Sequence, residues 1–180
     1  MAESTFRLNH FFNKALSYEA LLEAKAAYAI VINNSTFTIP NLSTVAFMFW
    51  AKREKISFGP YRNLTFFEIS NRIHSDLVLL EASQILFEEH HIKGIQLKMS
   101  NHAGSDLIVI DKDNKEIKGE AFNTAPSFFQ IKMRNELKKF DNNTVGIIAF
   151  NETALSDKNR VFFERKKIEY PKVLFVGCKI

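Results

Sequence analysis

The apolar positions of the chain change period twice after residue 63. Over residues 64–89, Phe66, Ile69, Ile73, Leu77 and Leu80 recur at three- and four-residue spacing, with Glu68, Arg72 and Ser75 on the opposite face. That spacing predicts a long amphipathic helix, ended by the connection to Gly94. Beyond Gly94 the period falls to two: Ile95, Leu97 and Met99 alternate, which predicts a strand over 95–99. Residues 107–110 are continuously apolar, the pattern of a strand buried on both faces, and 116–123 reads as its neighbour. Pro126 suits the first turn of a helix reaching about residue 140, with Thr124 as its cap. Residues 144–150 and 172–178 are further apolar strands, and 161–163 a short extra one. Upstream, Ser17 is the N-cap of a helix over 18–32, a second helix covers 42–53, and 55–63 around Gly59-Pro60 reads as a loop.

This order makes an α/β chain with a mixed sheet. Its 180 residues fit one domain, with 1–63 as a helical elaboration on a core over 64–180. Eighteen phenylalanines imply a large aromatic core. The lone Cys178 excludes a disulfide framework and a multi-cysteine zinc site. With no leader pattern and no apolar run long enough for a bilayer, the expectation is a cytoplasmic protein with no membrane partner. A net charge of +4 permits a polyanionic partner without demanding one. The surplus of Lys158, Arg160, Arg165, Lys166, Lys167 and Lys172 over Asp157, Glu164 and Glu169 has two readings. It is either a surface for phosphates or a strand edge guarded by lysines.

The chemistry concentrates between Asp106 and Glu120. Asp106 opens the apolar strand, residues 112–115 turn the chain, and Glu120 sits on the returning strand. Two carboxylates at one end of a hairpin form a seat for a hard divalent cation. Glu116-Ile117-Lys118 competes for the acidic role, but Glu116 stands beside the turn, and at roughly 3.3 Å per residue it is about 13 Å from Glu120 along the strand. A loop with an odd number of residues centred on Asp113 makes Asp106 face Glu120; a two-residue loop would put them on opposite faces. The structural alternative is a turn aspartate and a surface glutamate. Gly119 and Ala121 leave room around Glu120, and the Ala121 carbonyl is within reach of a metal bound there.

The succession helix–β–β–β–helix–β together with the Asp106/Glu120 pair resembles the core of the PD-(D/E)XK nuclease superfamily. The resemblance implies a restriction-endonuclease-like αβββαβ core and a Mg²⁺- (or Mn²⁺-) dependent endodeoxyribonuclease. Asp106, Glu120 and the Ala121 carbonyl would be the metal ligands. The family's lysine two residues after the glutamate is Phe122 here. In members where that lysine has moved to the following helix, its counterpart would be Lys132. Gln130 and Arg134 lie on the other side of that helix as phosphate-orienting candidates, and Lys98 is a further possible donor. The resemblance also implies an acid from the first core helix, assigned to Glu81 with Asp76 as fallback. Apart from it, His102 in the loop before Asp106 is either a turn residue, the better account, or a substrate contact. Arg62, Arg72, Arg134, Lys166 and Lys167 would contact the backbone of double-stranded DNA, and a homodimer would cut both strands. Phe122 keeps a second reading open, a catalytically inactive nucleic-acid-binding or assembly protein of the same fold. An unrelated α+β interaction module is the third.

Overall fold

The computed structural model describes residues 14–100, 104–141 and 143–180. Helix α1 (Tyr18–Asn33) begins at Ser17, whose hydroxyl accepts the Ala20 N–H at 3.3 Å. Helix α2 (Thr44–Arg53) follows, capped by Ser43. Residues 55–63, expected to be a loop, instead contribute to a hairpin of β1 (Lys55–Phe58) and β2 (Tyr61–Thr65). Gly59-Pro60 is its two-residue turn, and Gly59 supplies the left-handed φ of 55° that such a turn needs. Helix α3 (Phe66–His90) starts in a capping box: Glu68 N–H donates to Thr65 Oγ1, and Thr65 N–H donates back to the Glu68 carboxylate at 2.8 Å.

The rest of the chain builds the sheet: β3 (Gly94–Leu97), β4 (Leu107–Ile110), β5 (Glu116–Phe122), a 3₁₀ turn (Pro126–Phe128), α4 (Phe129–Leu137), β6 (Gly146–Asn151), α5 (Asp157–Glu169) and β7 (Val173–Cys178). The strand expected at 161–163 is the middle of α5, so the basic stretch lies mainly on a helix and not on a strand edge. Asp157 in its first turn and Lys166 and Lys167 in its last suit the helix dipole, and this outweighs the β-propensity of three residues. Thr124 caps nothing: the 3₁₀ turn opens at Ala125 without a side-chain cap.

The five strands pair in the order β3-β4-β5-β6-β7, antiparallel through β5 and parallel from β5 to β7. The fold is therefore mixed α/β. Alternation along the strands divides the core in two. Leu107, Val109, Ile147, Ala149 and Val176 face α1 and α3, while Phe122, Ile148, Phe150 and Val173 face α4 and α5. Strand β4 departs from the expected burial on both faces: Leu107 and Val109 are buried, but Ile108 and Ile110 are only half-covered. The sheet is thus partly open on the α4 side of β4. Leu16 bridges to Ile95, tying the start of the described chain to β3.

Candidate functional site

The β4–β5 connection sets the site. Its five residues, 111–115, are centred on Asp113. The Asp111 carboxylate accepts the Asp113 and Lys115 N–H groups at 2.8 and 2.9 Å, and Asn114 adopts a φ of 62°. Pairing runs from Ile110 opposite Glu116 to Leu107 opposite Gly119. One further step puts Asp106 opposite Glu120, on the α4 face, and leaves Glu116 beside the turn.

Both carboxylates line a cleft of about 680 Å³ bounded by β5, the 123–125 segment, α3 and α4. Asp106 Oδ2 accepts the Ala121 N–H at 2.9 Å, and the Asp106 carbonyl accepts the Lys98 N–H at 2.8 Å. Glu120 Oε2 lies 2.5 Å from Lys139 Nζ. The same ammonium is 2.6 Å from Glu136 Oε2, an ion pair off the line of a hydrogen bond, since that oxygen has no hydrogen-bond partner. Lys132 Nζ holds the other oxygen of Glu136 at 2.6 Å and stands 6.0 Å from the centre of the Phe122 ring. Two carboxylates, Glu120 and Glu136, thus share two ammonium groups, and Asp106 lies near enough to feel the charge of both.

The charges respond to this crowding. Burial raises the Asp106 carboxyl above its usual range, against the opposing Ala121 hydrogen bond and the Lys139 charge. Burial also raises Glu120, against its hydrogen bond with Lys139 and with Asp106 adding repulsion. Burial works against ionised Glu136 too, but its pairing with Lys132 and Lys139 prevails and lowers it. Burial would depress Lys139, yet Glu120 and Glu136 outweigh it and hold the ammonium at about 12.

Helix α4 delivers one face to this cleft. Phe128, Lys132, Glu136 and Lys139 recur at four-, four- and three-residue spacing and all line it. Glu136 and Lys139 were not among the sequence candidates, although extending the spacing from Lys132 finds both. Gln130 and Arg134 face away. Gln130 bonds to Asn159 of α5 at 3.2 Å, and Arg134 bonds to Gln130 and lies over Phe162 at 4.9 Å.

The other candidates are dispersed. Glu81 points to α1, where it pairs with Lys25 at 2.5 Å, and it is not brought to the cleft. Asp76, five residues earlier and so some 140° round the helix, is close enough to Asp106 for repulsion to register. It is already committed, accepting the Tyr61 hydroxyl at 2.6 Å and the Ser100 N–H at 2.7 Å. Arg72 donates to the Ser100 carbonyl and hydroxyl, and Arg62 to the Gly59 carbonyl. Lys166 and Lys167 pair with Glu169 and Glu164 along α5. Lys98 Nζ lies against Gly104 at the rim, so close that a Cβ there would meet it at 2.7 Å. His102 lies outside the described residues.

Asp106 Oδ1 and Glu120 Oε1 accept no hydrogen bond among the described residues. Two hard oxygens with excess negative charge nearby suit a cation that retains much of its water, as Mg²⁺ does. No group of three or more His, Cys, Asp or Glu is gathered for a metal among the described residues. Any such ion would therefore rely on this pair, the Ala121 carbonyl and solvent. No helix among the described residues is long and apolar enough to cross a membrane. No family model, curated protein or solved structure matches the chain.

Proposed function

We propose that the protein is a divalent-cation-dependent nuclease of the restriction-endonuclease-like class, hydrolysing phosphodiester bonds in the cleft between β5 and α4. The observation that carries this reading is the register of β4 and β5, which sets Asp106 and Glu120 face to face beneath the ammonium groups of Lys132 and Lys139. The strand order β3-β4-β5-β6-β7, antiparallel then parallel, accords with the core the resemblance implies. A bound Mg²⁺ or Mn²⁺ would polarise the scissile phosphate and lower the pKa of a coordinated water.

The chain's own groups have separable parts in this scheme. The Ala121 N–H fixes the Asp106 carboxylate, leaving Oδ1 for the ion. Lys139 holds Glu120 by Oε2 and so presents Oε1. Lys132, at the mouth and half-exposed, is the cation able to leave Glu136 for a phosphate oxygen and steady developing charge. Phe122 occupies the family's lysine position as part of the aromatic core, so this role falls to α4. A second reading, a binding protein without cleavage, is favoured by one observation: Lys139 already neutralises Glu120 and Glu136.

Plasmid cleavage with Mg²⁺ or Mn²⁺ tests the assignment. Asp106→Ala and Glu120→Ala should each abolish it, and Lys132→Ala should slow it by about 10²–10³-fold, the usual effect of losing one charge-stabilising group. Cleavage that survives both carboxylate substitutions overturns the proposal. Absence of cleavage in wild-type protein of intact fold supports the binding reading.

A further inference from the structure

Phe128 stands on a ridge between two depressions. On one side is the cleft, which Thr124, Ala125, Phe128 and Lys132 help to line. On the other, between α4 and α5, a groove of about 380 Å³ is lined by Pro126, Ser127, Gln130, Arg134, Ser156 and Lys158. The chain passes from cleft wall to groove wall between Ala125 and Pro126, so a strand leaving the cleft would cross the 3₁₀ turn to reach the groove.

Phe128 is 60% exposed, whereas the next residue, Phe129, is fully buried in the aromatic core. The core does not need the Phe128 ring. Its backbone is nevertheless fixed, by Pro126 in the first turn and by the Phe128 N–H donating to the Ala125 carbonyl at 3.0 Å. An exposed aromatic on a fixed backbone, one helical turn from Lys132, offers a nucleobase a stacking platform, because every base has a π-face. The groove's cations differ from those of the cleft. Lys132 and Lys139 are tied to carboxylates, while neither Arg134 nor Lys158 is ion-paired among the described residues.

We propose that this surface takes single-stranded or locally unpaired nucleic acid, with one base stacked on Phe128 and a phosphate beside it held in the groove by Arg134 and Lys158. The inference rests on the nuclease reading for placing a scissile phosphate in the cleft. It sharpens the substrate: bases closed in a duplex present no face to Phe128. Double-stranded DNA, the expectation from sequence, becomes the weaker ligand.

Fluorescence anisotropy tests it, in Ca²⁺ and again in EDTA. The probes are labelled oligothymidylate, oligouridylate and a duplex of equal length. Wild type should bind at least one single strand more tightly than the duplex. Phe128→Ala should weaken that binding by about 5- to 150-fold, the range for one lost base stack, and Phe128→Trp should retain it. Moving a single abasic site along the strand adds a readout that a structural role would not produce. Wild type should lose affinity at one position where Phe128→Ala loses none. Arg134→Ala with Lys158→Ala should flatten the salt dependence of binding. Equal single-strand affinity of wild type and Phe128→Ala, or an abasic effect indifferent to Phe128, overturns the inference. The two readings fail separately. Phe128-dependent binding with no cleavage of plasmid or of the single strands in Mg²⁺ or Mn²⁺ sinks the nuclease reading alone, and Asp106-dependent plasmid cleavage with no role for Phe128 sinks this one alone.

Discussion

Replacing Lys139 with methionine removes the cation shared by two buried carboxylates while keeping most of the side chain's bulk. Glu120 and Glu136 side chains are 7% and 5% exposed, and both lie within 2.6 Å of Lys139 Nζ, which is itself 49% exposed. Removing one partner of a fully buried pair costs about 3–5 kcal/mol, because a buried charge is left uncompensated. An exposed pair is worth at most about 1 kcal/mol. Solvent screening of the half-exposed lysine places the loss between these, at about 2 kcal/mol near neutral pH. For a chain of this size that lowers Tm by roughly 4–8 °C. The loss should shrink as pH falls, because burial already raises the Glu120 carboxyl and the variant strips away its opposing hydrogen bond. A divalent cation should partly replace the ammonium: at a hundred times its Kd an ion stabilises by about 2.7 kcal/mol, and the variant should gain more than wild type. Urea denaturation and thermal melts in EDTA and in Mg²⁺ measure both effects, with Lys138→Met, an exposed neighbour, matching the charge change. A Lys139→Met protein no less stable than Lys138→Met would show that Lys139 does not hold the cleft together.

Two other substitutions probe what surrounds the cleft. Burial raises the Asp76 carboxyl from 3.8 to about 6, against opposing hydrogen bonds from Tyr61 and Ser100. The folded state therefore holds that proton more tightly, and the Asp76 contribution to stability should fall as pH rises from about 4 to about 6, by about 3 kcal/mol at 1.36 kcal/mol per pH unit. Asp76→Asn should lack this component, so urea midpoints across that window should diverge from wild type as pH rises; parallel curves would refute the assignment. Phe122→Lys restores the family's literal motif, but it should lose about 3–5 kcal/mol of stability from the aromatic core and cleave plasmid no faster than wild type. A variant that melts like wild type would show that Phe122 is not held by packing.

Legibility followed the range over which each signal acts. The β4–β5 register could be read because a short polar turn, Asp111 to Lys115, joins two strands of clear pattern. The α1 start was readable from Ser17. The Thr65–Glu68 capping box and the Gly59-Pro60 hairpin turn carry equally local signals, masked by the longer apolar period of the helices on either side. Residues 161–163 misled because three β-formers were weighed without the charged residues on either side. Glu81 and Asp76 both sit near an edge of the α3 stripe, and only the packing of α1, which brings Lys25 to Glu81, separates them. The Tyr28–Tyr61–Asp76–Ser100 chain draws on α1, β2, α3 and the segment after β3, so no single stretch announces it.

The placement of charge in the cleft follows from which face of β5 each residue occupies. Glu120 and Phe122 are two apart and share the α4 side, while Ala121 packs towards α3. Phe122 contacts Phe129 and Phe150 at ring separations of 6.1 and 6.2 Å, and Phe129 anchors the first turn of α4. A lysine at 122 would give up the ring that packs against Phe129 and Phe150. With Phe122 at the strand position, the cation paired with Glu120 among the described residues is Lys139, two residues past the end of α4. Once Phe129, Met133 and Leu137 are buried, the positions in and flanking α4 that line the cleft are 128, 132, 136 and 139. Lys132, Glu136 and Lys139 fill three of them, which makes Phe122 and the α4 lysines parts of one arrangement. Phe122 docks the helix, and the docked helix carries the charges that the strand cannot.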